Sequence, residues 1–394
     1  MSRRSRLRVA VFQPLVAAYR KPLFERLAAL ADIDLTVYAG QTLGSLKSIE
    51  TTDSFRFATA PVRRGPLQLS VQLQQISALF RGFDLLIVPW DIHYLTLMIC
   101  VPAARLLNIP LVLWGHGYAR RPRAWADAIR NWYGRASFGV LLYNAEAAAQ
   151  LVATQRFCPS RVFVANNALD QAPIAAACAY WEGRSQQLRA FQQKHSIKPA
   201  ETLIFVSRLE PENDIQMLLY ALPHVRKRIP DVKLVIIGDG SQRCELENLA
   251  RQAALESAVI FPGAVYDELV LSQWMLSAAA FCYPTRIGLS ILHAFGYGLP
   301  VITTDSRVGQ NPERAALLAG HNGLTYRGGD IESLASTCCR ILTDPMLRAE
   351  LAAGAKATVA QAQSMDNMVA GFEALFEAIR GSRIEAESSG QRVP

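Results

Sequence analysis

Four short strings in this chain set polar residues and glycines where a phosphate or a sugar could be held. In VSRLEPENDI, from Val206 to Ile215, an apolar run ends and Arg208 follows at once. An arginine at a strand's carboxyl end can grip a diphosphate with its forked guanidinium. A solvated loop arginine is the plain alternative, and from this string alone the two stand about even. VIIGDG runs an apolar strand into Gly238, Asp239 and Gly240. Amides at such a strand-to-helix junction can point at a ligand, although a tight turn is the simpler reading of the string by itself. In YPTRIGLSILHAFGYGLPVITTD, from Tyr283 to Asp305, the loop Thr285, Arg286, Ile287 leads to Gly288, Leu289 and Ser290, which open a helix. Free amides and the helix dipole there favour an anion. In PLVLWGHG, His116 stands just past a strand end between Gly115 and Gly117. A lone histidine is more often structural, but flanking glycines let backbone approach a ligand closely.

The elements that must position these strings are βαβ units, because short apolar runs alternate with longer helical patterns. The first half offers RVAVFQ, IDLTVYA, DLLIVPW, PLVLWG, FGVLLYN and VFVAN as strands. The second half restarts with TLIFVSRL, VKLVIIGDG, AVIFPG, AAFCYP, LPVITTD and NGLTY. The expected architecture is α/β, with two Rossmann-like domains facing across a cleft. Residues 1–175 would form an acceptor-side domain and 176–362 a nucleotide-sugar-binding domain. Residues 363–394 would be a helix, packing back on the first domain, and a polar tail. Open parallel sheets bind ligands at the carboxyl ends of their strands, which is where Arg208, His116 and the glycine loops fall.

Composition narrows the class. The 394 residues are 51% hydrophobic and 19% charged, too apolar for a disordered chain. The formal charge of +8 suits phosphorylated ligands or an anionic membrane surface. No signature of RNA or DNA binding accompanies it. The seven cysteines form no C-x-x-C pair, so buried thiols in a reducing cytoplasm are expected rather than disulfides or zinc. The basic start MSRRSRLRVAVFQPLV reads as a lead-in to a first strand rather than a signal peptide. The stretch from His93 to Trp114 reads as a buried helix and a strand, since Arg105, Asn108 and Pro110 interrupt it.

Taken together, the strings resemble the group 1, or family 4, retaining glycosyltransferases of the GT-B fold, most strongly from about 200 to 345. VSRLEPEND is similar to that family's G-R-L-x-x-x-K-G, VIIGDG to its I-G-x-G, and GLSILHAFGYGLPVITTD to its G-L-x-x-x-E-A-x-x-x-G-x-P-V-I. NPE at 311–313 and NGL at 322–324 lie where the family has P-E and N-G. WGHG carries the matching histidine, and NNALD resembles N-G-x-D. The resemblance implies that Arg208 binds the donor diphosphate and that His116 sits by the transferred sugar. It places Asn213 at a phosphate-binding lysine position, Thr285 at a glutamate that contacts the sugar, and His293 at a glutamate that holds the ribose. The catalytic motif therefore diverges at three positions. His293, in the first turn of its helix, could accept a ribose hydroxyl through one imidazole nitrogen. The amino-terminal loop QPLVAAYRKPLF lacks the family's Gly-Gly, and Tyr19 and Arg20 are its candidate contacts to an acceptor or a phosphate.

The changes alter charge in one direction. Arg208 and Arg286 set two cations against a donor diphosphate of about −2. No acidic D-x-D metal motif is read in the sequence, so these arginines and helix amides are expected to replace a metal, and no cofactor is expected. The resulting expectation is hexosyl transfer from a UDP- or GDP-linked donor to a saccharide or lipid-linked acceptor, with retention, in cell-surface polysaccharide or glycolipid synthesis. The location expected is the cytoplasm, peripheral on the inner membrane face. Two other classes remain open: a catalytically inactive nucleotide-sugar-binding subunit, and a nicotinamide-dependent Rossmann enzyme, which lacks its glycine fingerprint here.

Overall fold

The apolar runs become parallel strands in the computed structural model, which describes residues 6–43, 46–49, 52–66, 69–119 and 123–388. The chain divides into two units, residues 1–167 with 365–394, and residues 168–364.

In the first unit seven parallel strands lie in the order Val162–Val164, Gly139–Leu142, Leu111–Gly115, Leu85–Pro89, Leu7–Leu15, Ile33–Gly40, Arg56–Thr59. Every residue of Leu85–Pro89, Leu111–Gly115 and Gly139–Leu142 is buried, as a strand covered on both faces requires. The helix Met365–Ser388 belongs to this unit. Its Phe372 stands edge-on to Trp114 with ring centres 5.1 Å apart, and its Arg380 pairs with Asp32 at 2.5 Å.

In the second unit six parallel strands lie in the order Val259–Gly263, Lys233–Ile237, Thr202–Val206, Ala280–Cys282, Val301–Thr304, Gly323–Tyr326. Ile204, Phe205, Ile236, Phe281 and Phe295 fill its core. Numbered along the chain, the second sheet runs 3-2-1-4-5-6 and the first 3-2-1-4-5-6-7, both the doubly wound order. Each therefore reverses direction between its first and fourth strands, and loops at that switch point part to leave a crevice. In the second unit the two loops are Ser207–Asp214 and Tyr283–Leu289. In the first they are the segments following Leu15 and Pro89.

The segment between the sheets forms two helices, Ala172–Glu182 and Ser185–Lys194. Two expectations need correction. The cysteines are all free, but Cys158 and Cys244 are exposed rather than buried. The helix Leu97–Leu106 buries one face only, and Met98, Ile99 and Leu106 lie open to solvent.

Candidate active site

One of the two crevice loops of the second unit, Ser207–Asp214, is locked to the turn Gly238–Gln242 at the end of the neighbouring strand. Ser207 donates to Ile237 O at 3.1 Å, Leu209 to Asp239 O at 2.9 Å, and Gln242 back to Leu209 O at 2.9 Å. Glu210 accepts the Ser241 hydroxyl at 2.7 Å. The two glycines make this possible. A Cβ at Gly238 would stand 1.9 Å from Ser207 O, and one at Gly240 2.5 Å from Leu209 O. The amides of these glycines are already used, Gly238 on Gly263 O at 2.9 Å and Gly240 on Asp239 Oδ1 at 2.8 Å. Gly238 and Gly240 thus make room for the carbonyls that hold the Arg208 loop.

Asn213 also supports this loop. It is buried, donates to Arg208 O at 2.8 Å and has its Oδ1 3.0 Å from the Tyr283 hydroxyl. It braces the loop from within instead of pointing at a phosphate. Arg208 itself is exposed, and its guanidinium has no carboxylate partner among the described residues.

Across the switch point, Gln310 is buried and pins the second loop from beneath. Its Oε1 accepts the Arg286 amide at 2.8 Å and its Nε2 donates to Thr285 Oγ1 at 3.1 Å. Asn311 Nδ2 donates to Arg286 O at 2.6 Å. Arg286 is held at φ +56°, a left-handed conformation that costs a non-glycine residue on the order of 1–3 kcal/mol and gathers at functional sites. Its guanidinium, like that of Arg208, has no carboxylate partner among the described residues. Ile287 is fully buried, and Leu289 is half-buried and packs against the core. The amides of Gly288, Leu289 and Ser290 donate to no protein acceptor among the described residues, and the helix Ser290–Gly296 begins there.

His293 is engaged by a residue that sequence reading missed. Its Nε2 lies 2.9 and 3.1 Å from the two carboxylate oxygens of Glu268, and the Tyr297 hydroxyl donates to the same carboxylate. Burial alone would raise the Glu268 carboxyl, but the hydrogen bonds of His293 and Tyr297 and the charge of His293 outweigh it and hold it below its usual value. A glutamate at 293, as the family has, would not fit this chain: it would set two carboxylates against each other. His293→Glu is therefore expected to cost roughly 1–3 kcal/mol of stability near pH 8, the cost of an unsatisfied buried group. The pH dependence carries the sign. In the native chain a depressed Glu268 stabilises above the unfolded carboxylate pKa, and that contribution is lost as pH falls through the folded value. In the variant one carboxyl of the pair is raised, so its deficit shrinks in acid. Melting temperatures at pH 8 and 4.5 check this; an equal deficit at both would refute it.

In the first unit His116 is exposed just beyond the strand Leu111–Gly115, and the chain turns away through Gly117 at φ +78°. Its ring centre lies 5.2 Å from that of Tyr143. The Arg20 guanidinium lies 5.2 Å from the same ring, and 5.4 Å from both Tyr19 and Trp114. Arg20, expected at the ligand, is 92% buried among these rings, since its exposure is 8%. Its guanidinium Nη1 donates to the Met368 sulfur at 3.8 Å. Cation–π contact and a soft acceptor replace water around the charge. Tyr19 stays exposed.

The chain does contain one D-x-D string, Asp32-Ile33-Asp34, which the sequence reading passed over. It lies at the amino-terminal start of its strand, where Asp34 pairs with Arg56 and Asp32 with Arg380. Among the described residues no group of three or more His, Cys, Asp or Glu could hold a metal ion. Arg3, Arg4 and Ser5 of RRSRLR, and Arg120 to Pro122 of RRPR, lie outside the described residues.

Two doubly wound units, each with candidate groups at the carboxyl ends of its strands, define an α/β protein of the GT-B fold. Residues 200–344 match the family model Glycosyl transferases group 1. The GDP-mannose-dependent alpha-(1-6)-phosphatidylinositol monomannoside mannosyltransferase of Mycolicibacterium smegmatis is 28% identical over 163 residues, 39% of this chain and 42% of that protein. A glycogen synthase of Mycobacterium tuberculosis is 27% identical over 259 residues, 62% of this chain and 57% of that one. The chain thus spans about half the length of these curated relatives. Among solved structures, Anabaena HepE in complex with UDP shares the fold at a TM-score of 0.70 and 15% identity, over 94% of this chain and 99% of that one. Sucrose-phosphate synthase from Thermosynechococcus elongatus shares it at 0.64 and 18%, over 95% and 100%.

Proposed function

We propose that this chain is a glycosyltransferase that moves a hexose from a UDP- or GDP-linked donor to a saccharide or lipid-linked acceptor, with retention of configuration. The observation that carries the reading is the pair Arg208 and Arg286, two cations without carboxylate partners among the described residues, on the loops that flank the switch point of the second sheet. The relatives named for GDP-mannose and the HepE complex with UDP support a nucleotide-linked donor. As the sugar's bond to the diphosphate breaks, negative charge grows on the leaving nucleoside diphosphate. Arg208, Arg286 and the amides of Gly288, Leu289 and Ser290 stabilise that charge without reorganising. Thr285 lines the sugar end of the loop, and the His293–Glu268 pair supplies the polar contacts to the ribose. Within the first unit, His116 and Tyr19 are the candidate contacts to a sugar and an acceptor, with Arg20 and its aromatic neighbours fixing the loop behind Tyr19. The product belongs to cell-surface polysaccharide or glycolipid synthesis, made in the cytoplasm at the inner membrane face. No helix among the described residues is long and apolar enough to cross a membrane.

Because the two arginines provide the positive charge, donor-dependent sugar release is expected to persist in excess chelator. Release of radiolabelled sugar with and without chelator measures it. Activity abolished by the chelator and restored by magnesium or manganese would overturn the metal-free part of the reading.

A further inference from the structure

Two neighbouring helices of the first unit present apolar side chains to solvent. The helix Leu97–Leu106 follows the strand Leu85–Pro89, and the helix Ala124–Ala136 follows the adjacent parallel strand Leu111–Gly115. Right-handed crossovers place such helices side by side on one face of a sheet, and these two are in contact. Met98, Ile99 and Leu106 are 61%, 52% and 83% exposed on the first; Trp125, Ile129 and Trp132 are 61%, 41% and 53% exposed on the second. On each helix the spacing is that of a single stripe. The inner face of Leu97–Leu106 is apolar as well, with Leu97, Cys100, Val101 and Ala104 buried. Isolated exposed hydrophobics are ordinary, but two adjoining stripes that include two tryptophans mark an interaction surface.

The charges on this face have one sign. Arg105, Arg123 and Arg135 are its exposed charged residues, at the helix ends. Neither helix carries an exposed acid: Asp127 is half-buried and paired with Arg130. A second copy of the chain, packed face to face about a two-fold axis, would bring this patch against itself and its arginines toward one another. An anionic bilayer surface meets both requirements, taking apolar side chains among its acyl chains and the arginines at its phosphates. Tryptophan's amphipathic ring is suited to that boundary.

We propose that the face formed by these two helices docks on an anionic membrane surface, with Trp125, Trp132, Met98 and Leu106 entering the interface and Arg105, Arg123 and Arg135 over the headgroups. This rests on the membrane side of the functional reading and gives it a location. The test is co-sedimentation of the full chain with phosphatidylcholine vesicles, with and without phosphatidylglycerol, at low and high salt. No sugar nucleotide is present, so failure here leaves sugar transfer standing. Binding is expected only with phosphatidylglycerol, weakening with salt, and with a blue shift of tryptophan emission. The triple variant Arg105→Glu, Arg123→Glu, Arg135→Glu is expected to lose on the order of 100-fold in vesicle affinity. Trp125→Ser with Trp132→Ser is expected to lose at least about 10-fold. All five side chains are exposed, so the variants should melt with the parent, and a melting check accompanies them. Parent protein that stays in the supernatant at low salt would overturn the proposal. So would variants that bind as well as the parent, or a solution dimer that the tryptophan variant dissolves without any vesicle binding by the parent.

Discussion

Arg208→Ala is expected to weaken nucleoside diphosphate binding by roughly 1.5–3 kcal/mol, the range for a hydrogen bond to a charged group, or about 10- to 150-fold in Kd. The unliganded protein should melt as before. The reason is geometric: the backbone of Arg208 is tied down by Asn213, while its guanidinium is exposed and meets no carboxylate among the described residues. The side chain contributes little to the fold, so its removal should register in ligand affinity alone. Calorimetric titration with UDP and GDP, beside a melting curve, separates the two. Unchanged affinity in a folded variant would remove Arg208 from the site.

Gly238→Ala should act on both quantities. Its Cβ would press to 1.9 Å from Ser207 O, the carbonyl immediately before Arg208. That oxygen belongs to backbone hydrogen-bonded to the neighbouring strand end, so relief requires the two loops to part. A loss of roughly 1–3 kcal/mol in stability is expected, as for other overpacked sites. Donor affinity should fall with it, because the arginine loop moves. Gly183→Ala is the control: no atom lies within 4 Å of its Cβ position. Urea unfolding and nucleotide titration on both variants measure the contrast. A Gly238→Ala protein with parental stability would show that the loops yield freely and that this glycine is not what holds them together.

The strands were legible because parallel strands buried on both faces leave uninterrupted apolar runs, such as DLLIVPW and PLVLWG. Arg56–Thr59, the strand at the edge of its sheet, was not, since RFAT is short and its side chains are only partly covered. In the site, Arg208 and the loop from Thr285 to Ser290 could be found from strand-end position. The functions of Gly238, Gly240 and Asn213 could not. A glycine that exposes an amide and one that makes room for a neighbouring carbonyl look alike in a single chain, and the difference lies in Ser207 and Leu209. Glu268 and Gln310 were missed for the same reason, being 25 and 24 residues from the groups they hold. The burial of Arg20 was not legible, because an arginine beside a tyrosine reads as surface. Trp114, Tyr143 and Met368, which bury it, come from three distant segments.

The central claim is that the second unit holds a nucleoside diphosphate between its two arginine-bearing loops. It is tested most directly by the melting temperature of the full chain against UDP, GDP, their hexose conjugates and NAD, since a ligand specific to the native state raises apparent stability. One nucleoside diphosphate and its sugar conjugate are expected to raise the melting temperature saturably, NAD is not, and the shift is expected to be lost in Arg208→Ala. No shift with any diphosphate at millimolar concentration, or an equal shift in Arg208→Ala, would contradict it.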